Sequence, residues 1–428
     1  MLMDQPRKNE VTKTTIHFGG NDVPVSVRAR CEVLTNKGFS SYGEDKIFNL
    51  AFSNPIGTET FLECSKKAKS VLIIVTDATR PTPTSKVLEH LYPGISKHPY
   101  VKFIVATGSH RAPTEKELES MFGRFYEEFK SRIFVHDSKK DSDVVYVGKT
   151  SRGTEVSFNK MVLDTDLLVP INSVEPHYFA GFTGGRKSFL PGVSAFKTIE
   201  MNHSHAIEPG AQPLRIKGNP VAEDMNEALG FIKHKKIFAV QTVMSGGNSL
   251  FAAFVGDIRG SFEAAIKSAL DLYSVPLSKK GNIVVTVAAP PLDLNLYQAQ
   301  KALEHGWPAL EKGGIMVLVA KCWDGIGEPA FFELLSRVKT KKEIDDMLKK
   351  KYVLGHHKAA RIMSMCTDFE LWAVTGLDDK FVINAKMKPY NDVQTAIDDA
   401  ILKIKSRGLE PSVVVLPNGG LIVPRVKR

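Results

Sequence analysis

The sequence predicts an α/β protein made of two mixed α/β domains. Three observations predict it. Short apolar runs alternate with helix-patterned segments along the chain. Most of these runs lead directly into a turn-rich stretch bearing Asp, Arg, His or Gly, where open parallel sheets place ligands. Near residue 280 the alternation restarts after the stretch SVPLSKKG.

The elements follow in order. Val71–Val75 (VLIIV) precedes TDATRPTPT, and Val101–Ala106 (VKFIVA) precedes TGSHRAPT. The segment EKELESMFGRFYEEF then reads as one amphipathic helix. Leu167–Ile171 leads into a Gly-rich segment, and Ile237–Val243 leads into MSGG. In the second half, GNIVVTVAA opens a strand, LYQAQKALEHGWPAL reads as a helix, and IMVLVA follows Gly313–Gly314. DVQTAIDDAILKIKS and SVVVLP complete another α/β unit. These boundaries place an N-terminal domain at residues 1–272 and a C-terminal domain at 280–428. The last ~15 residues are free to return to the first domain.

Composition narrows the function. The chain has 428 residues, and 57 Lys and Arg against 47 Asp and Glu leave a net charge of +10. That excess favours anionic partners. No block of basic residues and no aromatic-interleaved basic stripe is present, so nucleic-acid binding is a minority reading. The four cysteines show no CxxC spacing, which argues against a disulfide scaffold and a cysteine zinc site. The first fifteen residues lack an apolar core, and no apolar stretch approaches the ~18 residues of a membrane span. A cytoplasmic protein with no membrane partner is the expectation.

Chemistry-bearing residues fall into four groups. Glu175–Ser188 (EPHYFAGFTGGRKS) places Gly181, Gly184 and Gly185 beside Arg186, Lys187 and Ser188. Flexible backbone with two cations suits a phosphate or nucleotide. The Walker A pattern requires Gly before the Lys, where Arg186 stands, so a P-loop is a near miss. His110, His177, His203 and His205 lie in or near turns, and His both moves protons near neutral pH and binds metals. Arg80, in Asp77–Pro81 (DATRP), suits a carboxylate or phosphate. Tyr297, Gln298 and Lys301 sit together, the last two sharing one helix face.

These motifs together resemble the nickel-pincer lactate racemase family. The resemblance rests on DATRP at Asp77–Pro81, ATGSHR at Ala106–Arg111 and EPHYFAGFTGGRKSFLPG at Glu175–Gly192. It continues through MNHSHA at Met201–Ala206, GNP at Gly218–Pro220 and LYQAQK at Leu296–Lys301. It implies an active-site cleft between the domains. It implies a nickel-pincer nucleotide of the nickel pyridinium-3,5-bisthiocarboxylic acid mononucleotide type, covalently joined to Lys187, with His203 completing the metal coordination. His110 and His177 take the place of the acid/base pair. Arg80, Tyr297, Gln298 and Lys301 stand as substrate binders. Asp77 supports the cofactor or Arg80, and Gly184, Gly185, Arg186 and Ser188 belong to the cofactor turn. The implied activity is a 2-hydroxyacid racemase or epimerase acting by transient hydride transfer through a 2-keto acid, assisted transiently by cofactor-maturation proteins.

One departure bears on the substrate. The family places a Trp beyond the Gln/Lys pair to enclose a methyl group. Here the corresponding stretch is Tyr352–Ala360, with Gly355, His356, His357 and Lys358. A substrate larger or more polar than lactate, a malate-like diacid or a polyhydroxy acid, is expected. The alternatives are a phosphate- or nucleotide-binding transferase or NTPase using residues 181–188, and a non-catalytic binding protein.

Overall fold

In a parallel sheet covered on both faces every strand residue is buried, so the strand reads as continuously apolar. The computed structural model describes residues 11–36, 42–246 and 249–427, and the expected apolar runs form strands there, with Ile237–Val243 divided at Phe238 between Lys236–Ile237 and Ala239–Ser245. Residues 1–10 and Gly247, parts of segments read above, lie outside the described residues. The chain divides into two α/β units, residues 38–272 and residues 1–37 with 273–428.

The 38–272 unit holds a seven-stranded sheet. Its main path runs Ser249–Gly256, Ala239–Ser245, Leu167–Ser173, Val71–Thr76, Val101–Ala106 and Ile133–Val135, with Lys236–Ile237 beside Leu167–Ser173. All pairings are parallel except the hairpin Ala239–Gly256. Ile73, Val75, Phe103 and Val105 pack with Phe48, Phe61, Leu88 and Leu91 from the covering helices. Each such buried Leu or Phe contributes about 1.5–3 kcal/mol. Helix Glu115–Phe122 starts at a Thr114 capping box. It ends at Gly123 with φ +52°, so the expected single helix breaks into shorter turns before Phe129.

The second unit holds an all-parallel six-stranded sheet. Its order is Lys388–Tyr390, Glu370–Thr375, Leu310–Ala320, Gly281–Val287, Ser412–Leu416 and Arg30–Val33. Side chains alternate between its faces. Val284, Met316, Leu318 and Leu371 face helices Leu296–Gly306, Pro329–Arg337 and His356–Asp368. Ile283, Val285, Val317 and Trp372 face helix Val393–Ser406 and the hairpin Thr12–Val27.

The N-terminal segment departs from the expected 1–272 domain. Arg30–Val33 pairs with Ser412–Leu416, and Ile16, Val25 and Val27 fill that sheet's core. Nothing local in the sequence marks a strand whose partner lies some 380 residues away. The C-terminal residues likewise stay with this unit, because Val423–Val426 pairs with Ser274–Leu277. The first half of the expected linker is therefore a strand. Among the described residues no helix is long and apolar enough to cross a membrane.

Candidate active site

Three loops leave the C-terminal ends of adjacent parallel strands in the 38–272 unit, and they carry most of the expected residues. Val71–Thr76 delivers Asp77 and Arg80, and Val101–Ala106 delivers His110. Asp77 Oδ2 accepts a hydrogen bond from His110 Nδ1 at 2.8 Å. Asp77 Oδ1 accepts from the Thr79 backbone N–H at 2.9 Å and the Thr79 hydroxyl at 2.5 Å. Burial of Asp77 raises its pKa, but the bond from His110, the charges of His110 and Arg80, and the Thr79 bond outweigh it. The carboxyl is held well below the usual carboxylate range. The His110 loop is fixed by Gly108, whose N–H donates to Gly192 O at 3.0 Å and whose φ is +56°.

The third loop follows Leu167–Ser173. Pro176–His177 folds back antiparallel on Gly181–Phe182. The turn requires glycine at 181, where φ is +77° and a Cβ would sit 2.1 Å from the Arg215 carbonyl oxygen. Ala180 N–H donates to His177 Nδ1 at 3.3 Å, which holds the ring within the hairpin. Gly184 and Gly185 also have positive φ, and a Cβ on either would collide with Val174 or with the Phe262 ring. Their close approaches are to the protein's own interior. Ser188 Oγ donates to Asn172 Oδ1 at 2.6 Å, and Gly185 N–H donates to Gln241 Oε1 at 3.1 Å. Arg186 is fully buried.

Phe179 gathers the remaining groups. Its ring lies 4.6 Å from that of His177 and 5.0 Å from that of His203, both edge-on. Lys187 Nζ lies 5.7 Å from its centroid. His203 projects from helix Phe196–Ser204. Burial first, then the nearby charges of Lys187 and His110, push its imidazole pKa down to about 3. His205 turns to Glu208 at 2.7 Å. Asp77, Arg80, His110, His177, Lys187 and His203 thus belong to one connected cluster.

Tyr297, Gln298 and Lys301 occupy the first two turns of helix Leu296–Gly306 in the other unit, capped by Asn295. Burial raises the Tyr297 phenol pKa above its ordinary range. His357 and Lys358 are buried, and Tyr352 Oη lies 2.7 Å from His357 Nδ1. Lys358 Nζ donates to the Tyr297 carbonyl and lies 3.7 Å from its ring centroid. Burial and the Lys301 charge hold the Lys358 pKa well below the ordinary value, against an opposing effect of Glu304. Trp372 stacks on Tyr390 on the opposite face of the sheet from this helix.

Sequence reasoning missed Phe179, Thr79, Asn172 and Gln241. Phe179 lies two residues from His177 in one hairpin. Asn172 and Gln241 are polar residues inside buried strands, and they face each other in register. That polarity is the signal that could have found them.

The lactate racemase N-terminal domain family matches residues 18–213, and the lactate racemase C-terminal domain family matches residues 277–423. The lactate racemase of Thermoanaerobacterium thermosaccharolyticum is 28% identical over 397 residues, covering 90% of this chain and 91% of that protein. The lactate racemase of Lactiplantibacillus plantarum is 29% identical over 392 residues, covering 89% and 91%. The structure of the Thermoanaerobacterium apoprotein superposes with a TM-score of 0.87 at 26% identity, covering 97% of this chain and 100% of that one. A Thermotoga maritima protein shares the fold at a TM-score of 0.69 and 19% identity, covering 92% of this chain and 100% of that one.

The fold and these matches define an isomerase, a racemase of the α/β class. The chain belongs to the lactate racemase family.

Proposed function

We propose that this racemase interconverts the stereoisomers of a 2-hydroxy carboxylic acid with a nickel-pincer nucleotide tethered to Lys187. The observation that carries the reading is the cluster in which Asp77 orients His110 while His177, His203 and Lys187 pack around Phe179.

The donor set fits such a group. Among the described residues no three His, Cys, Asp or Glu side chains gather to hold a metal. A nickel ion here must draw most of its donors from the cofactor. His203 supplies one, and its depressed pKa keeps the imidazole neutral and able to ligate. Lys187 beside it is the amine for the covalent link. Asp77, Gly184, Gly185, Arg186 and Ser188 form the loops around that link.

When bound, the nucleotide supplies a hydride acceptor for the substrate Cα hydrogen. The Cα proton of a 2-hydroxy carboxylate is weakly acidic, so a base alone would face a high barrier. Removing the hydrogen as hydride leaves a planar 2-keto acid, open to return on either face. The protein's part is to move the hydroxyl proton. His110, with Nδ1 donated to Asp77, offers Nε2 to one enantiomer, and His177 serves the other. On this reading Arg80 is a substrate and carboxylate binder, as are Gln298 and Lys301, and Tyr297 is a further substrate binder.

Lys358 supports a substrate larger or more polar than lactate. It is a buried amine near Lys301 and against Tyr297, suited to a second anionic or hydroxyl group on the substrate. The reading is tested by maturing the protein with the cofactor pathway and assaying racemisation of lactate, malate and a sugar acid. No racemisation of any of them by nickel-loaded protein overturns it.

A further inference from the structure

The unit that holds the six-stranded sheet carries a cavity of about 310 Å³ that racemisation does not use. It opens beside strand Glu370–Thr375, where the edge strand stops short. Lys388, the first residue of Lys388–Tyr390, pairs with Trp372, so Glu370 and Leu371 have no strand neighbour on that side. Met363, Cys366, Phe369, Leu371 and Trp372 give the gap apolar walls. A small, mostly apolar cavity with a few polar groups is the usual make-up of a ligand site. This one lies at the N-terminal ends of the two strands, whereas open α/β sheets place their main ligands at the C-terminal ends.

Three lysines complete the wall: Lys339, Lys386 and Lys388. Among the described residues none of their ammonium groups forms an ion pair. Lys386 Nζ reaches the Ser336 carbonyl at 3.4 Å. Lys388 Nζ donates to Tyr390 Oη at 2.6 Å and lies 4.7 Å from the Trp372 ring centroid. Tyr390 Oη in turn donates to Asp399 Oδ2 at 3.0 Å. Glu370 is the one carboxylate among the described lining residues, and Lys403 and Arg407 already occupy it. Burial pushes the Cys366 thiol up to about 11 against the charge of Lys386, so no thiolate faces the cations. Helices Pro329–Arg337 and His356–Asp368 end beside these residues, but each C-terminus is worth about half a charge, less than three ammonium groups bring. Lys386 also holds φ +65°, a left-handed backbone that non-glycine residues keep where the surroundings demand it, often at ligand sites.

We propose that this cavity is a second binding site, for a small organic anion with an apolar or aromatic body and one carboxylate or phosphate head group. The body lies against Phe369 and Trp372, and the head group meets Lys339, Lys386 and Lys388. The site is independent of the reading of Lys187 and of the substrate helix Leu296–Gly306.

The test is calorimetry on the full-length protein with benzoate, phenyl phosphate and uncharged benzyl alcohol. At least one of the two anions is expected to bind saturably at millimolar concentration or below, and benzyl alcohol at least tenfold more weakly. Comparing benzoate with phenyl phosphate identifies the head group. Lys386→Met/Lys388→Met is expected to weaken the anion about tenfold, the scale of two partly exposed charge contacts. Lys301→Met, in the substrate helix, is expected to leave that affinity unchanged. If the double variant fails to fold, Lys339→Glu carries the same test from an exposed position. Four results overturn the proposal: no saturable binding of either anion, equal affinity for benzyl alcohol, unchanged affinity in the folded lysine variants, or loss of binding in Lys301→Met, which would put the anion in the substrate site.

Discussion

Asp77 Oδ2 and His110 Nδ1 lie 2.8 Å apart, and this contact decides which nitrogen of His110 is available for proton transfer. An ionised carboxylate only accepts, so Nδ1 donates and Nε2 is left as base. Asp77 stays ionised because the bond from His110 and the charges of His110 and Arg80 outweigh its burial. Asp77→Asn removes the charge and lets the ring turn or change tautomer. It is expected to lower kcat/KM by about 10²–10⁴-fold, the scale of a general base or its orienting partner. For enantiomers the equilibrium constant is one, so kcat/KM must fall equally in both directions while kcat alone is free to differ. Near-normal turnover removes Asp77 from this role.

Lys187→Ala is expected to abolish the cofactor adduct and leave the fold intact. Lys187 is half-buried and projects toward Phe179, so truncation opens little core. His203→Ala is expected to keep the adduct and lose nickel on dialysis. Intact mass and metal analysis of matured proteins check both. An adduct persisting in Lys187→Ala would place the tether elsewhere.

The strands and the loops after them were legible because fully buried parallel strands leave continuous apolar runs, as at Val71–Val75 and Val101–Ala106. The Asp77–His110 bond was not legible. The residues are 33 apart in sequence, and only the pairing of Thr76 with Ala106 brings their loops side by side. Phe179 was hidden because an aromatic in a hydrophobic segment reads as core. Arg30–Val33 was hidden because its partner is distant and its composition is half polar. The burial of Lys358 was not legible, since it packs against Tyr297 on the neighbouring helix.

Stability should fall as pH drops from about 6.5 toward 4, and His305 is one cause. Burial chiefly pushes its imidazole pKa down from 6.5 to about 4. The bond to Gly419 O opposes this, and the charge of Lys301 adds to it. The folded state therefore resists a proton that the unfolded chain takes up. The contribution is complete above the unfolded value and is lost as pH falls through the folded one. Each pH unit in that window costs up to about 1.4 kcal/mol from this group. Urea denaturation of wild type and His305→Gln at pH 4.5, 5.5 and 7 checks this. The variant is expected to be less stable at pH 7 and to show the shallower pH dependence. Parallel pH profiles would assign the acid sensitivity elsewhere.

Lys358 decides the substrate prediction. Its ammonium lies against Tyr297, on the helix that also carries Gln298 and Lys301, and burial together with the Lys301 charge makes it costly to keep protonated. A second carboxylate on the substrate would offset that cost by pairing with the ammonium. A substrate ending in a methyl group offers Lys358 no polar contact, and a site that hydrogen-bonds a substrate group discriminates against ligands lacking that group. Matured wild-type enzyme is therefore expected to favour malate or a sugar acid over lactate in kcat/KM. Lys358→Met keeps similar length and removes the charge. It is expected to cut kcat/KM for the preferred acid by about 10²-fold or more while changing lactate little, the scale of one lost charged contact. Circular dichroism establishes that the variant is folded, since Lys358 also bonds the Tyr297 carbonyl. If lactate is the best substrate by a wide margin and Lys358→Met leaves the ranking unchanged, the buried lysine supports the helix packing alone.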